Sequence, residues 1–238
     1  MRKILITNDD GIDAPGIRRL AEAALQLGEV WVIAPERQRS AASHSIILRE
    51  VVRVKQHDFP VSGVKAFSCS GTPADCVRVG GLSVMPYTPD VVLSGINSGY
   101  NVAGDIQYSA TAGAAFEAAY QGFGAIALSE DACECHEVTD EYLMKLLEEH
   151  IDDRYGRDRI LNINFPGCRL GECRGIKDNC FTSIDSFYHA RYKLIETQED
   201  GTCVYLVDDI YNEEAEEGSD LKAIIDKYVS VGIVRNIR

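Results

Sequence analysis

Asp9 and Asp10 stand side by side directly after an apolar run, in Ile4-Leu5-Ile6-Thr7-Asn8-Asp9-Asp10-Gly11. Adjacent carboxylates repel unless a cation or hydrogen-bond donors offset their charge. A hard divalent ion such as Mg²⁺ or Mn²⁺ takes oxygen ligands of this kind. The other use of aspartates at such a place is to shape a turn and cap a helix, and spacing alone leaves both readings open. Two further polar stretches carry comparable chemistry. Arg37-Gln38-Arg39-Ser40-Ala41-Ala42-Ser43 mixes hydroxyls with two arginines; it suits a phosphate, although by spacing alone a solvated surface loop explains it better. Gly95-Ile96-Asn97-Ser98-Gly99-Tyr100-Asn101 runs on through Gly104 to Ser109-Ala110-Thr111-Ala112-Gly113. Amides, hydroxyls and small residues just before a helix favour an anion, because the first N–H groups of a helix lack internal acceptors. Capping by Ser109 or Thr111 is the simpler use, but the connection is longer than a link requires, which adds weight to function.

These residues need elements to hold them. Residues 3–7 read as a buried strand. Residues 15–27 place Ile17, Leu20, Ala21 and Ala24 at helical spacing, with Pro15 in the first turn, Gly28 past the end and Asp13 as the expected N-cap. Residues 30–34 form the next strand, so the chain opens with a βαβ unit and its implied parallel pairing. The spacing then predicts two strands over 45–57 and 64–69, and a helix from Thr72 to about residue 84. Thr72, Pro73 and Asp75 are arranged there as N-cap, first-turn proline and capping box. Strands at 90–94, 125–128 and 160–165 alternate with helices at 110–121 and 141–151. Beyond Pro166 the pattern weakens to a hairpin from 192–195 and 203–207 and a helix over 220–228. In an open parallel sheet ligands bind at the carboxyl ends of the strands, where all three polar stretches fall.

The whole chain of 238 residues has net charge −13. That disfavours a nucleic-acid polymer as partner, because phosphate neutralisation needs a basic surface. The charge is uneven: residues 1–120 hold 11 Lys+Arg against 12 Asp+Glu, whereas the acids concentrate in 130–153 and 196–220, ten in each. Charges beyond a Debye length of about 8 Å are largely screened, so a mononucleotide is compatible with the first half. The apolar run at the N-terminus is too short for a signal-peptide core and no run is long enough for a membrane span, which predicts a soluble, cytoplasmic protein without a membrane partner. Cys133-Glu134-Cys135-His136 and the looser group Cys168, Cys173 and Cys180 lack the paired spacing of a structural zinc site. Reduced thiols are the expectation.

The residues resemble a known family. Residues 4–11 with Ala14-Pro15-Gly16-Ile17, Ala34-Pro35 with Arg39-Ser40, Gly71-Thr72-Pro73-Ala74-Asp75-Cys76-Val77, Ser94-Gly95-Ile96-Asn97 with Gly99 and Asn101, and Leu161-Asn162-Ile163-Asn164-Phe165-Pro166 are similar to the survival protein SurE family of metal-dependent 5′/3′-nucleotidases. The resemblance implies an α/β, Rossmann-like, three-layer fold with a parallel sheet. It implies a catalytic core over 1–166 and a smaller extension over 167–238, hairpin plus helix, serving oligomerisation and the substrate side. It implies hydrolysis of nucleoside 5′- and 3′-monophosphates, with short polyphosphate as a further substrate. One divalent cation per subunit, Mg²⁺ or Mn²⁺, would be held by Asp9, Asp10, Ser40 and Asn97, with Asp9 or Asp10 orienting the attacking water. Asn8, Asn101, Ser109 and Thr111 would contact substrate, and the subunits would form a homodimer or homotetramer. Ala110 departs from the usual Ser-Gly-Thr, residues 183–191 stand where an Arg- and Tyr-containing pattern is usual, and Tyr228-Val229-Ser230-Val231-Gly232 matches the usual ending only in part. Two other classes fit the paired acids: a Mg²⁺-dependent phosphoacceptor signalling module and a non-hydrolysing nucleotide-binding module. The later strand ends lack an evident acceptor Asp and partner Lys for the first, and no GxGxxG supports the second.

Overall fold

A computed structural model describes residues 1–185, 188–212 and 214–236. Its nine-stranded sheet begins with β1 (Arg2–Thr7), whose Ile4, Leu5 and Ile6 are fully buried because both faces are covered. The chain continues through α1 (Pro15–Ala24), β2 (Gly28–Pro35), β3 (Val54–Gln56), β4 (Lys65–Cys69), α2 (Pro73–Val79), β5 (Val91–Ser98), α3 (Ala110–Gln121), β6 (Gly124–Glu130), α4 (Glu137–His150) and β7 (Arg159–Phe165). After these come β8 (Ile176–Lys177), β9 (Tyr188–Thr197), β10 (Cys203–Tyr211), α5 (Asp220–Ile225) and β11 (Val229–Arg235). The sheet order is β3-β4-β2-β1-β5-β6-β7-β11-β8, with β4, β2, β1, β5, β6 and β7 parallel. Helices α1 and α4 pack on the face that carries Ile4 and Ile6, and α2 and α3 on the face that carries Leu5. This is a three-layer, Rossmann-like α/β fold. From β1 the chain fills one side of the sheet through β2 and β4, then returns to lay β5, β6 and β7 on the other. The switch point where ligands bind in such sheets therefore lies between the carboxyl ends of β1 and β5.

Several expectations are corrected. Ala14, not Asp13, occupies the N-cap of α1 without a side-chain cap, and Asp13 instead lies 3.0 Å from His57 Nε2. Of residues 45–57 only Val54–Gln56 pair as a strand, because the backbone before them is taken up by side chains: Ile47 N–H donates to Asp75 and Arg53 N–H to Ser70 Oγ. The Thr72 capping box forms, but α2 ends at Val79 and Gly80–Val84 widens into a π turn. The last helix stops at Ile225, and Val229–Arg235 becomes a strand antiparallel to β7 that the sequence reading did not anticipate. The expected hairpin is present and longer, as β9 and β10 form a separate two-stranded sheet. Of the segment 183–191, residues 186 and 187 lie outside the described residues. Among the described residues no helix is long and apolar enough to cross a membrane.

Close approach of α1 to β5 depends on Gly16, where a Cβ would lie 2.1 Å from the Ile96 carbonyl oxygen. Gly16→Ala must push the helix off the strand that bears Asn97. A loss of about 1–3 kcal/mol is expected, read as a fall of several degrees in Tm.

Candidate active site

The turn that leaves β1 is built by Asn8. Its Nδ2 donates to the Gly11 carbonyl at 2.9 Å and its Oδ1 accepts the Gly11 N–H at 3.2 Å, so the buried amide shapes the turn and is not presented outward. The turn sets Asp9 at 4% exposure, with Oδ1 accepting the Thr111 hydroxyl at 2.7 Å. Burial pushes the Asp9 carboxyl up to about 6 and the neighbouring Asp10 charge adds to this, while the Thr111 bond pulls the other way. Burial also raises Asp10, against the Ser98 N–H that donates to its Oδ2 at 3.0 Å. The two acids thus bridge three elements: β1, the end of β5 and the start of α3.

Asn97 reaches this edge through an irregularity. The register between β5 and β6 shifts between Ser94 and Asn97, which re-aims the end of the strand. Gly95 makes it possible, since it has φ +146° and a Cβ there would lie 2.3 Å from the Leu128 carbonyl oxygen. Asn97 Nδ2 donates to Gly99 O at 2.8 Å, which leaves its Oδ1 lone pairs for another partner. Ser40 is exposed in the loop after β2, and its Oγ accepts from Gln38 Nε2 at 3.0 Å. That loop is tied to the acids where Arg39 N–H donates to the Asp9 carbonyl at 2.6 Å.

Among the sequence-derived phosphate contacts, the structure separates two kinds. Thr111 faces Asp9 from the first turn of α3, and Ser109 caps that helix by accepting Ala112 N–H at 3.0 Å. Ala110 between them is wholly buried. Asn101, 6% exposed, is committed inward: Nδ2 donates to Ser129 Oγ at 2.7 Å and its N–H donates to Asn164 Oδ1 at 2.8 Å. Its carbonyl accepts from Asn162 Nδ2 at 2.8 Å and Asn164 Nδ2 at 3.1 Å. Asn162 and Asn164 are therefore the residues that fasten the 97–101 segment, a role the sequence reading missed. Their signal was present: two amides at period two in an otherwise apolar strand occupy one face, and buried amides require partners.

The donor set fits a hard cation. Asp9, Asp10, Asn97 and Ser40 supply only oxygen, and among the described residues no Lys or Arg side chain pairs with either aspartate. A third acid at this sheet edge makes the contrast. Glu130, at the end of β6, is neutralised by Arg19 Nη1 at 2.6 Å and accepts the Thr139 hydroxyl at 2.7 Å. Elsewhere, all eight cysteines are free, and among the described residues no three His, Cys, Asp or Glu side chains gather as a metal cluster.

Comparison with known proteins adds an independent line. The family model for survival protein SurE matches residues 4–189. A 5′-nucleotidase SurE from Clostridium botulinum (strain ATCC 19397 / Type A) is 39% identical over 232 residues, covering 96% of this chain and 90% of that protein. One of the same name from Aeromonas hydrophila is 34% identical over 231 residues, covering 96% and 90%. The crystal structure of the SurE protein from Aquifex aeolicus superposes with a TM-score of 0.82 at 33% identity, covering 98% of this chain and 92% of that one.

Proposed function

The chain belongs to the survival protein SurE family, and from that premise we propose that it is a 5′-nucleotidase that hydrolyses nucleoside monophosphates to nucleoside and inorganic phosphate. We further propose that it depends on one divalent cation per subunit, Mg²⁺ or Mn²⁺, held by Asp9, Asp10, Ser40 and Asn97. Action on 3′-monophosphates and on short polyphosphate belongs to the same proposal, as does assembly into a homodimer or homotetramer. The observation that carries it is the pair Asp9 and Asp10, buried and half-buried at the switch point, without a basic partner among the described residues and facing a helix N-terminus.

Phosphate-monoester hydrolysis is among the slowest uncatalysed reactions, so charge spread over the phosphoryl oxygens must be stabilised. When bound, a divalent cation polarises the phosphoryl group and makes water more acidic. The chain supplies the rest. The Ala110 and Thr111 N–H groups in the first turn of α3 have no intrahelical acceptor and, with the Ser109 hydroxyl, offer neutral donors to the phosphoryl oxygens, while the Thr111 hydroxyl gives its one proton to Asp9. Neutral donors suit a site where two aspartates already balance the charge of the cation. One of these carboxylates orients the attacking water, and Thr111 fixes Asp9 for the task through its 2.7 Å bond. Asn8 and Asn101 support substrate contact through the backbone they hold.

The test is release of inorganic phosphate from AMP and from p-nitrophenyl phosphate, with Mn²⁺, with Mg²⁺ and with a chelator. Turnover with a cation and its loss with chelator are expected. Binding of AMP without phosphate release under any cation would overturn the reading, as would a stable phosphoprotein that does not turn over.

A further inference from the structure

Ser40 lies in residues 36–53, which run from β2 to β3 without regular structure. Holding such a loop in one place costs conformational entropy. Ala41 and Ser43 add to the cost, with φ of +58° and +53°. One tie is the Arg39 N–H bond to the Asp9 carbonyl. On the far side of Ser40 the loop lies on the turn before α3 and on α3 itself. Ser43 N–H donates to Tyr108 O at 3.0 Å and Ser43 Oγ to Gln107 O at 2.7 Å. Gly113 admits the loop, since a Cβ there would lie 2.4 Å from the Ser43 carbonyl oxygen.

The next residue makes a stronger contact. His44 Nε2 lies 2.8 Å from Glu117 Oε2. Glu117 is 3% exposed in the middle of alanine-rich α3, where a carboxylate is costly unless its oxygens are satisfied. They are: Arg78 Nη1, from α2, donates to Oε1 at 3.0 Å and Gln121 Nε2 donates to it at 2.7 Å. Burial acts to raise the Glu117 pKa, but the bonds from His44 and Gln121 and the Arg78 charge outweigh it, and the net direction is down. An ionised carboxylate on two packed helices is a rigid anchor. It adds a charge-assisted bond to the neutral ties of the loop, and such bonds are about twice as strong as neutral ones.

We infer that His44 and Glu117 are positioning residues: the buried carboxylate grips His44 and thereby holds the loop that carries Ser40 against the turn that carries Asp9 and Asp10. The inference rests on the cation site proposed above and extends it to two residues that need touch neither cation nor substrate. The loop itself supplies a reporter, because Arg37 and Arg39 are tryptic sites within it.

In His44→Ala, tryptic cleavage after Arg37 and Arg39 without cation is expected to speed up about tenfold, the loss of one hydrogen bond to a charged group. The Mn²⁺ dissociation constant, read from the free-ion electron paramagnetic resonance signal, is expected to rise several-fold, because a smaller fraction of molecules holds the loop in place. His44→Gln retains an amide donor and is expected to return both values to within about twofold of the parent chain. Cleavage and Mn²⁺ binding of His44→Ala within about twofold of the parent would overturn the inference, as would failure of His44→Gln to restore them. A parent chain that binds Mn²⁺ but releases no phosphate removes the nucleotidase reading alone; the tryptic comparison still decides the clamp.

Discussion

Asp9→Asn abolishes cation-dependent phosphate release, with kcat/KM falling on the order of 10³-fold or more, while the protein remains folded. The drop corresponds to about 4 kcal/mol of transition-state stabilisation, within the several kcal/mol that a cation supplies to such chemistry. The fold survives because Asn matches Asp in shape and still accepts the Thr111 hydroxyl that Asp9 accepts at 2.7 Å. Stability should move opposite to activity. With its carboxyl raised to about 6 by burial and by Asp10, Asp9 folds more readily protonated than ionised. Its contribution is most favourable below its unfolded pKa of about 4 and is lost as pH rises through about 6. At neutral pH the ionised group costs roughly 3 kcal/mol in the cation-free protein, a cost that the amide lacks. Thermal melts check this: without cation, Asp9→Asn melts at or above the parent chain at pH 7.5, and the difference shrinks towards pH 4. With saturating Mn²⁺ the parent chain rises, by about 2.7 kcal/mol at a hundredfold excess over the dissociation constant, and the variant does not. Full activity in the variant would remove Asp9 from the site.

Asn164→Ala is the second large effect, and there stability and activity fall together. The substitution deletes the acceptor of the Asn101 N–H and one of two donors to the Asn101 carbonyl. A buried N–H left unsatisfied costs about 1–3 kcal/mol, and the space vacated by the amide adds to it. A total of about 2–4 kcal/mol is expected, lowering Tm by about 5–15 °C in a domain of this size. The 97–101 segment then loses its fixed position, and displacement by about 1 Å at a catalytic edge can cost about 10²-fold in rate. Asn164→Asp keeps an acceptor for the Asn101 N–H and should recover part of the stability. A melt and a rate unchanged in Asn164→Ala would show that Asn162 alone holds the segment.

Much of the framework was legible in the residues because it is locally encoded. Apolar spacing placed β1, α1 and β2, and the Thr72 capping box marked the start of α2. The paired acids stood out as charges directly after a buried strand. Other parts depended on partners far away in the chain. Residues 45–53 read as part of a strand, yet the Ile47 and Arg53 N–H groups bond to the Asp75 and Ser70 side chains. Val229–Arg235 pairs with β7, and no periodicity within seven residues announces a partner some 70 residues earlier. Asp13 had the right type and place for an N-cap, but His57 from another segment offered it a bond instead.

The same division runs through the candidate site. The sequence by itself determined the chemistry on offer: oxygen donors after β1 and β2 and at the end of β5, and a capped helix start beyond them. Only the tertiary structure decided how each donor is used. Asp9 meets Thr111 because β1 and α3 converge at the switch point, whereas the equally polar Asn8 and Asn101 turn inward to hold backbone. The reason is that residue type and local period fix what a side chain can bond, while strand order and register fix which partners lie within reach.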